Sequence, residues 1–312
     1  MPAPERFSGV LAPVITPFLE NLAPDPTRLV AHCRWLLSQG AGLALFGTNS
    51  EGNSLSVAEK RQLLDQLAEA GIEPSRMMPG TGCCALSDSV ELTRHAVSTG
   101  CGGVLMLPPF YYKGVSDDGL FRSYSEIIDR VGSSDLRIYL YHIPPVSHVG
   151  ISVELVERLI TAWPDIVVGI KDSSGDWNNT SRLLELAGED FRVFSGSESF
   201  LLRNCRAGGA GCISATANVN PAAIRRLCEE WRSAEAEALQ QDLDDLRDCL
   251  QMPTMIPGLK AVVATFLDDP GWETVRPPLT SLEPERKSAL IAKLSQRGFT
   301  MPGLGDGSGH AP

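Results

Sequence analysis

The run Val167-Val168-Gly169-Ile170-Lys171-Asp172-Ser173-Ser174 decides the fold. Small and β-branched residues up to Ile170 read as a buried parallel strand, and the polar residues after them read as the loop at its C-terminal end. Working outward, comparable short apolar runs lie at 137–142 before it and 192–195 after it. The complete set of predicted strands is 10–16, 42–47, 76–81, 103–107, 137–142, 166–171, 192–195 and 211–214. Helix-length segments separate them. Ser56-Val57-Ala58-Glu59 is a capping box, and Gly71 closes the helix it opens. Ser87 opens a helix ending near Gly100, Ser116 another, and Ser152 one that must stop before Pro164. Asn220-Pro221 supplies a cap and a first-turn proline after the last strand. Eight strands, each followed by a helix, predict an α/β fold, a (β/α)8 TIM barrel rather than an open doubly wound sheet.

Beyond residue 235 the strand signals stop, and 234–250, 257–266 and 284–297 read as helices with apolar faces. The expected organisation is a barrel over 1–235, a C-terminal helical extension over 236–298 and a flexible, glycine-rich tail over 299–312. The 312 residues are 43% hydrophobic and 21% charged, with mean hydropathy −0.03. That is the profile of a water-soluble globular protein with material for a sizeable core. A net charge of −11 argues against nucleic acid as a partner. No apolar run is long enough to span a membrane, and the start lacks the apolar stretch of a secretory signal, so the expected location is the cytoplasm. Cysteines 33, 83, 84, 101, 205, 212, 228 and 249 form no CxxC pair and read as core-filling thiols. The five histidines are scattered and there is no HExxH, so no metal site is expected.

In a barrel, chemistry sits at the C-terminal ends of strands. A lysine closing the apolar run before Asp172 points into the barrel mouth, where burial disfavours the charged ammonium. A neutral amine there can attack a ketone and form a Schiff base. Two structural alternatives for Lys171 stay open: it snorkels outward, or it pairs with Asp172. Tyr141, ending the preceding strand, can carry protons beside an imine or can be an ordinary core tyrosine, and His142 can be a structural neighbour. The turn Gly47-Thr48-Asn49-Ser50-Glu51-Gly52 offers backbone amides and a hydroxyl to a carboxylate, with a plain glycine turn as the other reading. Gly80-Thr81-Gly82-Cys83-Cys84-Ala85 fits G-x-G-x-x-A, yet residues 99–106 lack the acidic partner of a dinucleotide site, so it reads as a barrel turn. No phosphate-binding GxxxxGK[ST] and no GxSxG elbow occur.

Taken together, these residues resemble the dihydrodipicolinate synthase / N-acetylneuraminate lyase family of class I aldolases over about residues 7–297. Gly47-Thr48-Asn49-Ser50-Glu51 stands for its GTTGE loop, Pro109-Phe110-Tyr111-Tyr112 for its interface tyrosine segment and Tyr141-His142-Ile143-Pro144 for its YNxP. Gly169-Ile170-Lys171-Asp172 stands for GIKxxxG, and the run from Gly211 to Asn218 for GxISxxAN. The resemblance implies Lys171 as the imine-forming lysine and Tyr141 as the proton carrier, relayed through Thr48. It implies Thr48 and Asn49 as the pyruvate carboxylate loop, and Tyr112 as a residue donated across a dimer interface. Ile213 would line the site with its carbonyl, and Gly196 would sit on the loop that shapes specificity. No metal or organic cofactor is implied, because the lysine imine is the electron sink. The implied assembly is a homotetramer built as a dimer of dimers.

Departures bear on the substrate. The family's synthases carry an arginine two residues after the YNxP proline, where this chain has Val146, and an apolar side chain cannot grip a carboxylate. Asn49 replaces a threonine, and Val57 and Lys60 occupy the positions of the histidines that bind feedback lysine. The leading expectation is therefore a pyruvate-dependent lyase of a 2-oxo acid or deoxy-sugar acid. The alternatives are a Schiff-base dehydratase of a 2-keto-3-deoxy sugar acid, a true synthase despite Val146, and a non-catalytic binding barrel.

Overall fold

The computed structural model describes residues 6–251 and 255–305. Seven strands, β1 (Gly9–Ala12), β2 (Gly42–Leu43), β3 (Val104–Met106), β4 (Ile138–His142), β5 (Val167–Asp172), β6 (Arg192–Ser195) and β7 (Gly211–Ile213), form one parallel sheet ordered β2-β1-β7-β6-β5-β4-β3. The predicted run 76–81 is not a strand of its own. Arg76 belongs to a 3-10 turn, and residues 77–81 bridge the two sheet edges through Met77 to Leu43 and Gly80 to Leu105. Amides of Met78 and Gly80 donate to Leu43 and Leu45 carbonyls at 2.8 and 2.7 Å, and Leu105 donates to Pro79 at 2.9 Å. Pro79 has no N–H, so one rung toward β3 is missing, but the ring closes as an eight-stave barrel with helices outside.

Local chemistry sets the helices. Ser56 and Glu59 exchange both capping-box bonds, at 3.2 and 2.8 Å, and open Val57–Glu69. Ser116 and Ser152 cap Asp117–Val131 and Val153–Ala162 as predicted. Two expected caps differ. The helix assigned to Ser87 begins one residue earlier, at Leu86, and its entry is organised by Ser89, whose Oγ accepts from Cys83 N–H at 2.9 Å. Asn220 makes no side-chain cap for Pro221–Glu230.

Two cores result. Leu11, Ala44, Met78, Leu105, Tyr139, Tyr141, Val168, Phe194 and Ile213 fill the barrel, with every stave represented. A larger core lies between staves and helices. The helices Ala236–Leu250, Met255–Leu267 and Pro284–Gln296 follow the barrel, and Met255–Leu267 is buried along most of its length. The expected tail divides: Phe299 meets Phe266 at 5.5 Å and Met301 is buried, because these apolar side chains find the core. Residues 306–312 lie outside the described residues. The eight thiols are free, and Cys84 is exposed rather than core-filling. Among the described residues no single helix is long and apolar enough to cross a membrane.

Candidate active site

A bulge aims the lysine. Ile138 of β4 faces Val167 of β5, but the next residue, Tyr139, faces Gly169, so β5 holds one extra residue. Val167 and Ile170 pack in the outer core and Val168 in the inner one. Strict alternation from Val167 would turn residue 171 outward; the extra residue reverses it. Lys171 then stands beside Tyr141 on one side and Phe194 on the other. Its Nζ lies 4.2 Å from the centroid of the Tyr141 ring, and both residues are 2% exposed. The Tyr141 hydroxyl meets Thr48 Oγ1 at 3.2 Å. Among the described residues no carboxylate pairs with Lys171.

Asp172 faces the other way. Its carboxylate accepts from Thr180 Oγ1 at 2.7 Å, Asn179 Nδ2 at 3.0 Å and Ser174 N–H at 2.8 Å. Those bonds tie β5 to the helix Trp177–Leu184 and remove the Lys171–Asp172 pairing. His142 also points outward. Its Nδ1 accepts from Ile151 N–H at 2.9 Å, and burial holds its pKa below the ordinary value, so it is a neutral structural neighbour.

The loop from Gly47 to Gly52 is more than a glycine turn. The amides of Ser50 and Gly52 donate to the Gly47 carbonyl and that of Glu51 to the Thr48 carbonyl. Those of Thr48 and Asn49 donate to no acceptor among the described residues, and two adjacent free N–H groups suit a carboxylate. Gly52 is required, since a Cβ there would sit 1.9 Å from the Phe46 carbonyl oxygen. Gly80 and Gly82 are explained likewise: added Cβ atoms would fall 2.6 Å from Phe46 O and 2.4 Å from Leu107 N. The G-x-G run serves close packing of neighbouring staves.

Ile213 closes β7 inside the same inner core as Tyr141. Gly196 abuts Ser173, whose Oγ would lie 2.0 Å from a Cβ at that position. Thr48, Asn49, Tyr141, Lys171 and Ile213 thus gather at the C-terminal ends of the staves, with Gly196 on an adjoining loop. Tyr112 does not join them within one chain: it is 74% exposed and meets the Tyr111 ring edge-on at 5.3 Å.

Sequence reasoning missed the supports behind these loops. Glu51 holds φ +53° and is fully buried against Lys260 of the helix Met255–Leu267. Lys260 also donates to Thr274 O at 2.7 Å, and Arg276 N–H donates to the second Glu51 oxygen at 2.9 Å. Burial pushes the Lys260 ammonium down to about 8, opposed by the Glu51 charge. After β6, buried Glu198 takes bonds from Ser214 and Thr216 and a 2.8 Å bond from Arg247 of the helix Ala236–Leu250. The capping glutamate Glu59 is held by Arg276, which keeps its carboxyl well below the usual range, at about 2.

Comparison with known proteins places this geometry. Residues 6–297 match the dihydrodipicolinate synthetase family. The chain belongs to that family. It is an enzyme, a lyase. An uncharacterized DapA-like lyase of Chloroflexus aurantiacus is 32% identical over 287 residues, spanning 91% of this chain and 95% of the relative. The crystal structure of dihydrodipicolinate synthase from Agrobacterium tumefaciens superposes with TM-score 0.85 at 36% identity, over 92% of this chain and 98% of that one. YagE from E. coli K12, a family member solved in complex with pyruvate, gives TM-score 0.86 at 25% identity, over 94% and 99%.

The buried Glu51–Lys260 pair yields a stability prediction. Lys260→Met leaves a carboxylate buried without its cation and should cost about 3–5 kcal/mol. The double variant Glu51→Gln/Lys260→Met should recover most of that loss. Urea unfolding of the three proteins checks it; equal losses in the single and double variants would contradict the pairing.

Proposed function

We propose that this chain is a pyruvate-dependent class I lyase that makes or breaks a carbon–carbon bond of a 2-oxo acid or deoxy-sugar acid through a Schiff base on Lys171. The observation that carries the reading is the inward Lys171, buried without a carboxylate partner among the described residues, its Nζ 4.2 Å from the centroid of the Tyr141 ring. The amine adds to the keto carbon of pyruvate, water leaves, and the resulting iminium draws electrons from the neighbouring carbon. Loss of a methyl proton gives an enamine that attacks an aldehyde; cleavage runs the same steps backward. Tyr141 carries the protons with Thr48 as relay, at the 3.2 Å contact between their hydroxyls. The free amides of Thr48 and Asn49 hold the carboxylate, Ile213 lines the site with its carbonyl and Gly196 leaves room for the rest of the substrate. The imine is the electron sink, so this chemistry calls for no metal or organic cofactor.

Tyr112 belongs to the same relay, but from a neighbouring subunit. Two adjacent tyrosines, 72% and 74% exposed, favour an interface, since large aromatics are costly to leave in water. We assign the assembly as a homotetramer of such dimers, located in the cytoplasm, with the barrel over residues 1–235 and the extension over 236–298. Small-molecule 2-oxo acids are its partners, not nucleic acid or membrane.

Three outcomes are expected. Incubation with pyruvate and borohydride should leave a covalent adduct on Lys171, read by mass spectrometry of its peptide; trapping on Lys113 or Lys260 instead would sink the assignment. Tyr112→Phe should lower turnover more than pyruvate binding, because the relay acts after condensation. Light scattering should find no active monomer.

A fourth concerns Val146, which is 58% exposed on the turn Pro144–Ser147. An arginine gripping a carboxylate is worth about 1.5–3 kcal/mol, so its absence should weaken use of aspartate semialdehyde by about 10- to 150-fold. Poor condensation of pyruvate with that aldehyde is expected beside intact imine formation. A coupled assay giving kcat/KM of about 10⁴ M⁻¹s⁻¹ or more would identify the protein as a synthase.

A further inference from the structure

Two thiols meet on the outer side of β7. Cys205 belongs to the helix Leu201–Arg206 and Cys228 to Pro221–Glu230, and the two helices pack on each other. Helical spacing turns each thiol toward the core: Cys205 follows Leu201 by four positions and Cys228 follows Ile224 by four, all of them in or against the outer core. The Cys205 S–H donates to the Cys228 sulfur. Cys205 is buried at 6% exposure, whereas Cys228 is half-buried and open to solvent on one side. A third thiol, Cys212 of β7, lies fully buried in the same core, and burial pushes it well above its ordinary pKa.

The two sulfurs are therefore unequal. The hydrogen bond from Cys205 holds the Cys228 thiol below its ordinary pKa, against the opposing effect of burial, and the same bond together with burial pushes Cys205 up. A partly exposed thiolate beside a thiol that can resolve it is the arrangement of a peroxide-reactive pair. The chemistry proposed at Lys171 uses neither residue. We propose that Cys205 and Cys228 are a modification site, a dithiol that hydrogen peroxide converts to an internal disulfide joining the two helices. The Cys228 thiolate attacks peroxide: an S–O bond forms, the O–O bond breaks, and the departing hydroxide takes a proton and leaves as water. The Cys205 sulfur then attacks Cys228: the S–S bond forms, the S–O bond breaks, and the hydroxyl leaves with the Cys205 proton as a second water. The new bond encloses β7 and the loop carrying Ser214, Thr216 and Asn218, so it restricts the unfolded chain and fastens that segment.

Trypsin separates the three thiols, since it cuts after Arg203, Arg206, Arg225, Arg226 and Arg232. The full chain is treated with hydrogen peroxide, alkylated, digested and read by mass spectrometry. Residues 204–206 should appear joined to 227–232, two hydrogens lighter than the separate peptides, and dithiothreitol should release them. Cys205→Ser should replace the cross-link by a sulfenic acid on Cys228, captured with dimedone. Cys228→Ser should leave Cys205 unmodified at the same peroxide concentration. The oxidised chain should also unfold at a higher urea concentration before dithiothreitol than after it. Oxidation confined to the exposed Cys84, a bond from Cys228 to any other thiol, or reaction of Cys205 without Cys228 would overturn the proposal, as would equal urea midpoints in a fully cross-linked sample.

Discussion

Everything at the barrel mouth depends on one extra residue in β5. Side chains on a strand alternate, so a shift of one position exchanges the inner and outer faces. With Val167 outward, the bulge before Gly169 is what turns Lys171 inward and Asp172 outward. The bulge in turn depends on Gly169: a Cβ there would stand 2.6 Å from both the Tyr139 ring and the Arg192 carbonyl oxygen. Tyr139 occupies that space and accepts a 2.9 Å bond from Phe7 N–H at the opposite end of the barrel. The lysine is thus positioned by backbone geometry and a filled inner core, not by an ionic partner. That leaves its amine free to react.

The loops above the lysine are held from outside. Glu51, in the left-handed region, would be a strained position in an unsupported turn. Its carboxylate is fixed by Lys260 and Arg276, both from the C-terminal part of the chain. Glu198 fixes the loop after β6 to Arg247, and Asn218 fixes the loop after β7 to Pro13. Buried ionic pairs are a poor source of net stability, because desolvation offsets their attraction. Their effect here is directional: each clamps a βα loop at one geometry. The extension after the barrel is therefore part of the construction of the mouth.

These particulars explain what could be read from sequence. The apolar runs, the Ser56 capping box and the position of Lys171 at a strand end are local patterns, and local patterns are legible. Pro79 cut one run down to bridges for a reason visible in the sequence, since a proline cannot donate. The place of Lys171 at the end of an apolar run suggests the barrel mouth but leaves an outward reading open, and simple alternation from Val167 favours the wrong face; the bulge that decides between them has no signature in the spacing. The Glu51–Lys260 pair joins residues 209 positions apart, and no spacing rule links them. Tyr112 is different again: its partners, on the proposed reading, belong to another subunit, so one chain leaves it in solvent.

Construction also separates the two halves of the proposed chemistry. Lys171, Tyr141 and Ile213 lie on staves whose inner faces are nearly solvent-free, and a change at any of them disturbs a packed core. Val146 lies on a short exposed turn pinned by Lys113, whose Nζ donates to Ser147 O at 2.9 Å. Replacing Val146 alters no core contact. A barrel built this way can keep imine formation constant while the group that meets the second substrate changes, since the two depend on different layers of the structure. Loss of a carboxylate-gripping arginine at that turn is therefore compatible with an intact lysine, tyrosine and threonine set beneath it.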